Sequence, residues 1–165
     1  YNSSFSDWVR TIIYFINHYT EKNHKLGLVG VSMGATALVK AMENKKIRDR
    51  IAGLALLVPD PKIDSMMIRG EFMEEGGQRV NKKFWAETEE CNFFSNLASF
   101  TRKCLIFYGE KDKHVPPKTL NQLLSEIKKQ QKQLVVLKGE DHDGWTYETG
   151  SRVVNDLVNF FDKIF

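Results

Sequence analysis

Apolar residues follow two different spacings along the chain. From Phe5 to Tyr19 they recur every three or four positions, which predicts a helix with one buried face, and Ser4 with Asp7 has the spacing of a capping box at its start. Shorter runs that are apolar almost without interruption predict strands covered on both faces. These runs are Leu26–Val31, 51–58, 105–108 and 134–137.

Helical patterns separate the predicted strands. One helix is predicted at 33–44, where alanines allow close packing on a sheet, and another begins after Pro116 and Pro117. A last helix ends the chain. Strands that alternate with helices are typical of a parallel sheet with helices on both faces. The sequence therefore predicts an α/β fold in one domain over 1–165. The apolar residues that mark the last two helices are Leu120, Leu123, Leu124 and Ile127, then Val153, Val154, Leu157, Val158, Phe161 and Ile164.

The stretch 60–102 breaks this alternation. It is longer than an ordinary connection, and long insertions are often functional lids, so we predict a lid or cap here. It contains the apolar cluster 66–68 and many aromatic residues. Two interpretations of these apolar residues stay open: they line an acyl or aromatic pocket, or they form the lid's own core. The aromatic residues are Phe72, Phe84, Trp85, Phe93 and Phe94.

Composition and charge exclude several classes of protein. Of the 165 residues, 42% are hydrophobic and 27% are charged, which fits one folded core and excludes a disordered or collagen-like chain. The net charge is +3, and the basic run Lys128, Lys129 and Lys132 is not interleaved with aromatic residues. It indicates a solvated helix face and no nucleic-acid partner. No apolar stretch reaches the roughly 20 residues that cross a bilayer, so we predict no membrane span.

The cysteines do not indicate a metal centre. Cys91 and Cys104 are the only two, too few for a disulfide framework, and no Cys/His spacing matches a zinc site. We predict no metal and no cofactor. The N-terminus lacks a basic segment followed by an apolar one, and a cytoplasmic location is the working expectation. Because the chain begins at Tyr1 rather than Met, a processed or truncated start is also consistent with it.

The segment from Gly30 to Gly34 matches G-x-S-x-G, with a predicted strand before it and a predicted helix after it. In so tight a turn the serine backbone is strained, and glycines two residues before and after it avoid collisions. The turn holds the Ser32 hydroxyl at the end of the sheet, where the first amides of the helix also point. We predict Ser32 as a nucleophile and the Met33 N–H as an oxyanion donor.

A serine nucleophile needs a base that is itself oriented by a carboxylate. Asp112 follows the predicted strand 105–108, and His142 follows the next strand, 134–137. Because ligand sites in parallel sheets form at the carboxyl ends of the strands, we expect Ser32, Asp112 and His142 to converge. The chain order Ser, Asp, His is also the order of the nucleophile-elbow architecture.

These motifs together resemble the α/β-hydrolase family, in particular its lidded esterases, monoglyceride lipases and serine-aminopeptidase-like members. The matching pieces are 28–34, 105–112 with Val115 and Pro116, the histidine loop and the final helix. The resemblance runs from the start of the chain to its end. It implies that Ser32, Asp112 and His142 form a triad that cleaves a small-molecule ester or acyl substrate through an acyl-enzyme. It also places 60–102 where the family has its lid.

One departure from the family concerns its N-terminal strands, which have no counterpart here. The strand before Ser32 would then lie at an edge of the sheet, and we expect a C-terminal portion of the fold whose apolar edge is open to pairing. A loop after one of those strands supplies the family's second oxyanion donor. Because losing one such donor costs about 10²- to 10³-fold in rate, we expect weak or no turnover by this chain alone.

Alternatives remain for the site residues and for the reaction. Asp60 is the family's other position for the acid, while Asp141 and Asp143 are expected to be turn residues beside the base. His114 is expected in a surface turn, and His18 and His24 near a helix end. The same triad serves peptidases, thioesterases and acyltransferases, since the fold does not choose among them. A non-catalytic hydrolase-like fragment is a third hypothesis.

Overall fold

Four parallel strands form the central sheet of the computed structural model, which describes residues 4–61, 70–75, 78–115, 117–126 and 132–165. The strands in chain order are β1 (Leu26–Val31), β2 (Ile51–Leu57), β3 (Phe72–Glu75), β4 (Gln78–Asn81), β5 (Lys103–Gly109) and β6 (Lys132–Leu137). The sheet has the order β1-β2-β5-β6, and every neighbouring pair in it is parallel. β3 and β4 form a separate antiparallel hairpin.

Helices connect the strands and cover the sheet. They are α1 (Phe5–Tyr19), α2 (Met33–Ala41), α3 (Lys45–Arg48), α4 (Lys82–Glu89), α5 (Phe93–Ala98), α6 (Pro117–Glu126) and α7 (Tyr147–Asp162). The four strands predicted from apolar runs all form, and α1 begins with the predicted capping box between Ser4 and Asp7. The helix expected at 33–44 ends earlier, at Ala41, and α3 follows as a short separate turn.

The core lies on both faces of the sheet, as predicted. On one face, buried side chains of α1, α2, α5 and α6 pack against the strands, with Leu54 and Ile106 at its centre. On the other face, Val153 and Phe160 of α7 pack against residues of β2 and β5 such as Phe107. The α/β fold predicted from the sequence is therefore confirmed.

The described part of 60–102 packs into the larger core rather than forming a core of its own. The Phe84 ring lies edge-on to Phe5 and Trp8 of α1, with ring centroids 5.7 and 5.0 Å apart. Phe84, Trp85 and Phe93 are all buried in the same cluster as residues of α1 and α2. For these three aromatic residues the core is thus shared with the domain and is not the insertion's own, while a pocket lined by the insertion stays a prediction. The cluster 66–68 lies outside the described residues, and the role of a lid stays a prediction.

The two outer strands of the described sheet, β1 and β6, differ from their prediction of cover on both faces, and in β6 the exposed residues are Leu134 and Val136. Val29 and Val31 are 47% and 52% exposed, and β1 pairs with β2 alone among the described strands. The core under α7 draws its buried strand residues from β2, β5 and β6. That packing leaves the outward valines of β1 in contact with water. Pairing through this edge stays a prediction.

The basic run also differs from its prediction. Lys132 is the first residue of β6, so it does not belong to a helix face, and its ammonium donates to the carbonyl of Leu124 at the end of α6. Lys128 and Lys129 lie outside the described residues. Within the described ranges, no helix has both the length and the apolar character needed to cross a bilayer.

Both cysteines are buried and carry free thiols. Cys104 lies in β5, between β2 and β6, and is fully inaccessible to solvent. Burial raises the pKa of the Cys104 thiol to about 12 and that of Cys91 to about 11. Both groups are therefore neutral apolar fillers of the core.

Candidate active site

The turn from β1 into α2 holds Ser32 in a strained conformation. Its φ is 48° and its ψ is −124°, a region that non-glycine residues rarely occupy. The turn is fixed from both sides, because Ser32 N–H donates to the carbonyl of Leu57 and Ala35 N–H donates to the carbonyl of Ser32, each at 2.9 Å. The Ser32 side chain thus leaves the carboxyl end of the sheet in a defined direction.

Close packing explains one of the two glycines around Ser32. A Cβ at Gly30 would lie 2.6 Å from Ala35 Cα, so only glycine lets α2 begin this close to β1. A Cβ at Gly34 would meet no atom of the described residues within 4 Å, and Gly34 has no positive φ. The structure therefore gives a steric reason for Gly30 and none, within the described ranges, for Gly34.

Ser32, His142 and Asp112 meet in one hydrogen-bonded chain at the carboxyl end of the sheet. Ser32 Oγ lies 2.8 Å from His142 Nε2, and His142 Nδ1 lies 2.9 Å from Asp112 Oδ2. The Asp112 side chain is fully buried and that of His142 is 13% exposed. With Asp112 ionised, Nδ1 carries the proton of the ring and Nε2 accepts the hydrogen bond from the Ser32 hydroxyl.

The loop after β5 holds the second oxygen of Asp112. Oδ1 accepts hydrogen bonds from the backbone N–H groups of His114 and Val115, at 2.8 and 2.9 Å. Tyr108 closes the same loop by donating its hydroxyl proton to the carbonyl of Val115 at 2.7 Å. Burial and, secondarily, the charge of Asp112 raise the pKa of the Tyr108 phenol, so this donor keeps its proton.

Hydrogen bonds hold the His142 loop against the Asp112 loop. Lys111 N–H donates to the carbonyl of Glu140 at 2.8 Å, and Gly139 N–H donates to the Glu110 carboxylate at 2.8 Å. Gly109 lies beneath this contact, where a Cβ would stand 2.5 Å from the Asp141 carbonyl oxygen. The two loops can approach so closely because β5 ends in glycine.

The carboxylates next to His142 hold its loop. Asp141 Oδ1 accepts from the N–H of His142 at 2.8 Å and from that of Lys113 at 3.4 Å. The hydrogen bond from His142 is the largest of the effects that lower the pKa of Asp141. Asp143 is exposed. Asp141 is thus the loop residue that the sequence predicts.

Glu140 connects the same loop to the start of α7. Its Oε1 accepts from the hydroxyl of Thr149 at 2.5 Å and from that of Thr146 at 3.0 Å. The hydrogen bond from Thr149 contributes most to lowering the pKa of the Glu140 carboxyl. Sequence reasoning missed this residue, because the pattern marks only Thr146, a residue type favoured at a helix start.

The other candidate residues lie outside this chain of hydrogen bonds. The carbonyl of Asp60 accepts from Thr36 Oγ1, while His142 Nδ1 is bound by Asp112. His18 contacts the carbonyl of Tyr14 in its own helix, and His24 pairs with Glu21. As the first residue of α2, Met33 has a backbone N–H without a partner inside the helix. In the described part of the chain, no group of three His, Cys, Asp or Glu side chains is placed to hold a metal ion.

His114 lies exposed outside the helices and strands, as predicted, but its ring also has a contact that the sequence does not indicate. The ring lies against that of His142, with centroids 4.9 Å apart and planes tilted by 48°. Nothing in the sequence pattern indicates this contact, because it depends on how two separate loops are docked.

The family model of the prolyl oligopeptidase family matches residues 2–165. The chain belongs to this family. Solved structures similar to this family member are α/β-hydrolases, as the sequence motifs predict, so the predicted resemblance is confirmed at the level of the fold. No curated protein matches in a sequence comparison.

Structural likeness extends over nearly the whole chain at low sequence identity. Est1E of Butyrivibrio proteoclasticus, solved with bound ferulic acid, is 17% identical with a TM-score of 0.79, over 98% of this chain and 69% of that one. The monoacylglycerol lipase of Paleococcus ferrophilus is 18% identical with a TM-score of 0.74, over 96% and 76%. The mouse α/β hydrolase domain-containing protein 10 is 15% identical with a TM-score of 0.76, over 99% and 71%.

Gly109→Ala tests the docking of the two loops in this family member. The added Cβ must displace the Asp141 backbone by several tenths of an ångström, which shifts the adjacent His142, and a misplacement of about 1 Å can cost about a hundredfold in rate. We expect the rate of Ser32 modification by a fluorophosphonate to fall at least about tenfold. Gly150→Ala is the matched control, because a Cβ there meets open space within α7. Equal rates in the two variants would contradict the role of Gly109.

Glu140→Gln tests the charge at the start of α7. The lowered pKa of Glu140 means that its ionised form stabilises the fold, fully at neutral pH and less as the pH falls through the native pKa. The variant should melt at a lower temperature than the wild type at neutral pH, and the gap should close below about pH 4. Glu148→Gln, in the first turn of the same helix, is the control and should show a smaller gap. A gap for Glu140→Gln that is constant with pH would rule out the ionic contribution.

Proposed function

We propose that the protein is a serine hydrolase that cleaves a carboxylic ester through an acyl-enzyme. The observation that carries the proposal is the hydrogen-bonded chain Ser32, His142, Asp112, with links of 2.8 and 2.9 Å. Chains of this kind convert a weakly acidic hydroxyl into a nucleophile, because the base accepts its proton as the new bond forms. The strained backbone at Ser32 supports the same proposal, since strain of this kind clusters at active sites.

In the proposed acylation, Ser32 Oγ attacks the carbonyl carbon of the ester while its proton moves to His142 Nε2. The Asp112 carboxylate keeps the Nδ1 proton in place and stabilises the imidazolium. Collapse of the tetrahedral intermediate breaks the bond to the alkoxy oxygen, which leaves as an alcohol with the proton from Nε2. Water then attacks the acyl carbon while His142 Nε2 accepts its proton. The bond between the acyl carbon and Ser32 Oγ breaks, Oγ takes the proton from Nε2, and the acid is released.

The Met33 N–H is the proposed donor to the oxyanion of the intermediate. It belongs to the residue after the nucleophile and to the first turn of α2, whose partial positive end also favours negative charge there. A second donor from another part of the protein would raise the rate by about 10²- to 10³-fold. We therefore expect modification of Ser32 to be easier to observe than turnover.

The substrate class is proposed from two features. An ester of a small organic acid or a glycerol ester fits the structural likeness to the ferulate-bound Est1E and to the monoacylglycerol lipase. We assign 60–102 the role of a lid over this site, because it is inserted at the carboxyl end of β2 and anchored on the core through Phe84 and Trp85. Residues from this insertion would then contact the acyl group.

A second candidate is cleavage of a peptide or amide bond. The match to the prolyl oligopeptidase family over residues 2–165 favours it, and the same three side chains perform both reactions. The difference lies in the leaving group, because an amine must receive a proton from His142 before it departs, whereas an alkoxide is a better leaving group.

Fluorophosphonate modification of the purified chain tests the assigned nucleophile and base. We expect phosphonylation of Ser32, its loss in Ser32→Ala, and a fall in rate of at least about a thousandfold in His142→Ala and in Asp112→Asn. Intact-mass and peptide mass spectrometry measure both the site and the rate. Ser125→Ala, an exposed serine of α6, is the control and should react like the wild type. Modification that persists in Ser32→Ala would refute the proposed nucleophile.

Paired substrates separate the two candidate reactions. We expect p-nitrophenyl esters of short and longer acids to be cleaved with a higher kcat/KM than aminoacyl p-nitroanilides, including the prolyl one. All of this activity should be absent in Ser32→Ala. Higher kcat/KM for an anilide would replace the esterase by a peptidase. Modification of Ser32 without cleavage of any substrate, also in a longer chain that supplies a second oxyanion donor, would support a non-catalytic fragment.

A further inference from the structure

His114 contacts His142 from the exposed side of the site. The ring centroids are 4.9 Å apart with the planes tilted by 48°, a spacing at which aromatic pairs stabilise each other. His114 is exposed while the His142 side chain is only 13% exposed, so the outer ring shields part of the inner one from water. None of the hydrogen bonds that link Ser32, His142 and Asp112 uses the His114 ring.

The place of His114 is fixed by the same carboxylate that binds His142. Its backbone N–H donates to Asp112 Oδ1 at 2.8 Å, while Oδ2 of that carboxylate binds His142 Nδ1 at 2.9 Å. The backbone of His114 and the ring of His142 are therefore both bound to a single buried carboxylate.

We propose that His114 is a positioning residue for His142, and that its ring keeps the imidazole aligned between Ser32 and Asp112. The inference rests on the proposed function, because alignment matters only if His142 transfers the proton of Ser32. Hydrogen bonds at both ring nitrogens leave the imidazole able to rotate about the line that joins its two partners. A second ring in contact with it restricts that rotation and keeps Nε2 directed at Ser32 Oγ.

The charges around His114 do not explain the contact. Asp141 is the carboxylate whose charge interacts with His114, and its Oδ1 is already bound by the N–H groups of His142 and Lys113. The contact with His142 is one of ring against ring. An uncharged flat ring at position 114 should therefore also position His142.

Kinetics of Ser32 modification by a fluorophosphonate test this inference with two variants. The saturating rate of modification should fall about three- to tenfold in His114→Ala, while the half-saturating concentration of the reagent stays unchanged. His114→Phe should restore the rate to within about twofold of the wild type, because it keeps the ring and removes the titratable nitrogens. His24→Ala, an exposed histidine in the turn before β1, is the control and should react like the wild type.

The outcomes separate this inference from the proposed function. If His114→Ala reacts like the wild type, or if His114→Phe is as slow as His114→Ala, the positioning role is wrong while the assignment of Ser32 and His142 stands. A change confined to the half-saturating concentration also overturns it, since that would mean a contact with the reagent. If modification persists in Ser32→Ala, the proposed function itself fails. Melting temperatures of His114→Ala, His114→Phe and His24→Ala should stay close to that of the wild type.

Discussion

The Asp112 carboxylate is the group on which the geometry of the site depends. It is fully buried, and its two oxygens have different partners. One oxygen binds the imidazole of His142, and the other closes the loop of Asp112 through two backbone N–H groups. A buried carboxylate is costly unless it is fully hydrogen-bonded, so neither set of contacts is dispensable. The conformation of the Asp112 loop and the orientation of the His142 ring thus depend on the same carboxylate.

The sheet sets the distance that these hydrogen bonds must bridge. Neighbouring strands lie about 4.8 Å apart, and the order β1-β2-β5-β6 places Ser32 two strands away from Asp112, about 10 Å across the sheet. An imidazole with hydrogen bonds at both nitrogens spans a gap of this size. His142 comes from β6, on the far side of β5, so its loop must fold back over the end of β5. The absence of a side chain at Gly109 makes that path possible.

Sequence patterns predict the elements of this fold better than its surfaces. The four strands and α1 form where apolar spacing places them, because burial on a sheet or along a helix leaves a direct trace in the sequence. The exposure of Val29 and Val31 leaves no such trace, since it depends on which strands become neighbours. The same holds for 60–102, where aromatic residues predict burial but not the partner against which Phe84 and Trp85 pack.

The site also contains residues that the sequence marks and residues that only the fold brings into contact. Ser32 is marked by a local motif, and Asp112 and His142 by their place after apolar strands, so their convergence follows from the rule for parallel sheets. Gly109 and His114 act through contacts between loops, and no spacing rule connects residues of separate loops. Gly34 is the converse case, since it belongs to the motif although no described atom lies near its missing Cβ.

The buried thiol of Cys104 gives this protein an internal reporter of opening. Because it is fully buried in a middle strand and burial raises its pKa to about 12, an alkylating reagent can react with it only after the packing around β5 has opened. β5 also carries the loop of Asp112. The rate of Cys104 alkylation under native conditions therefore measures how often the core beneath Asp112 opens.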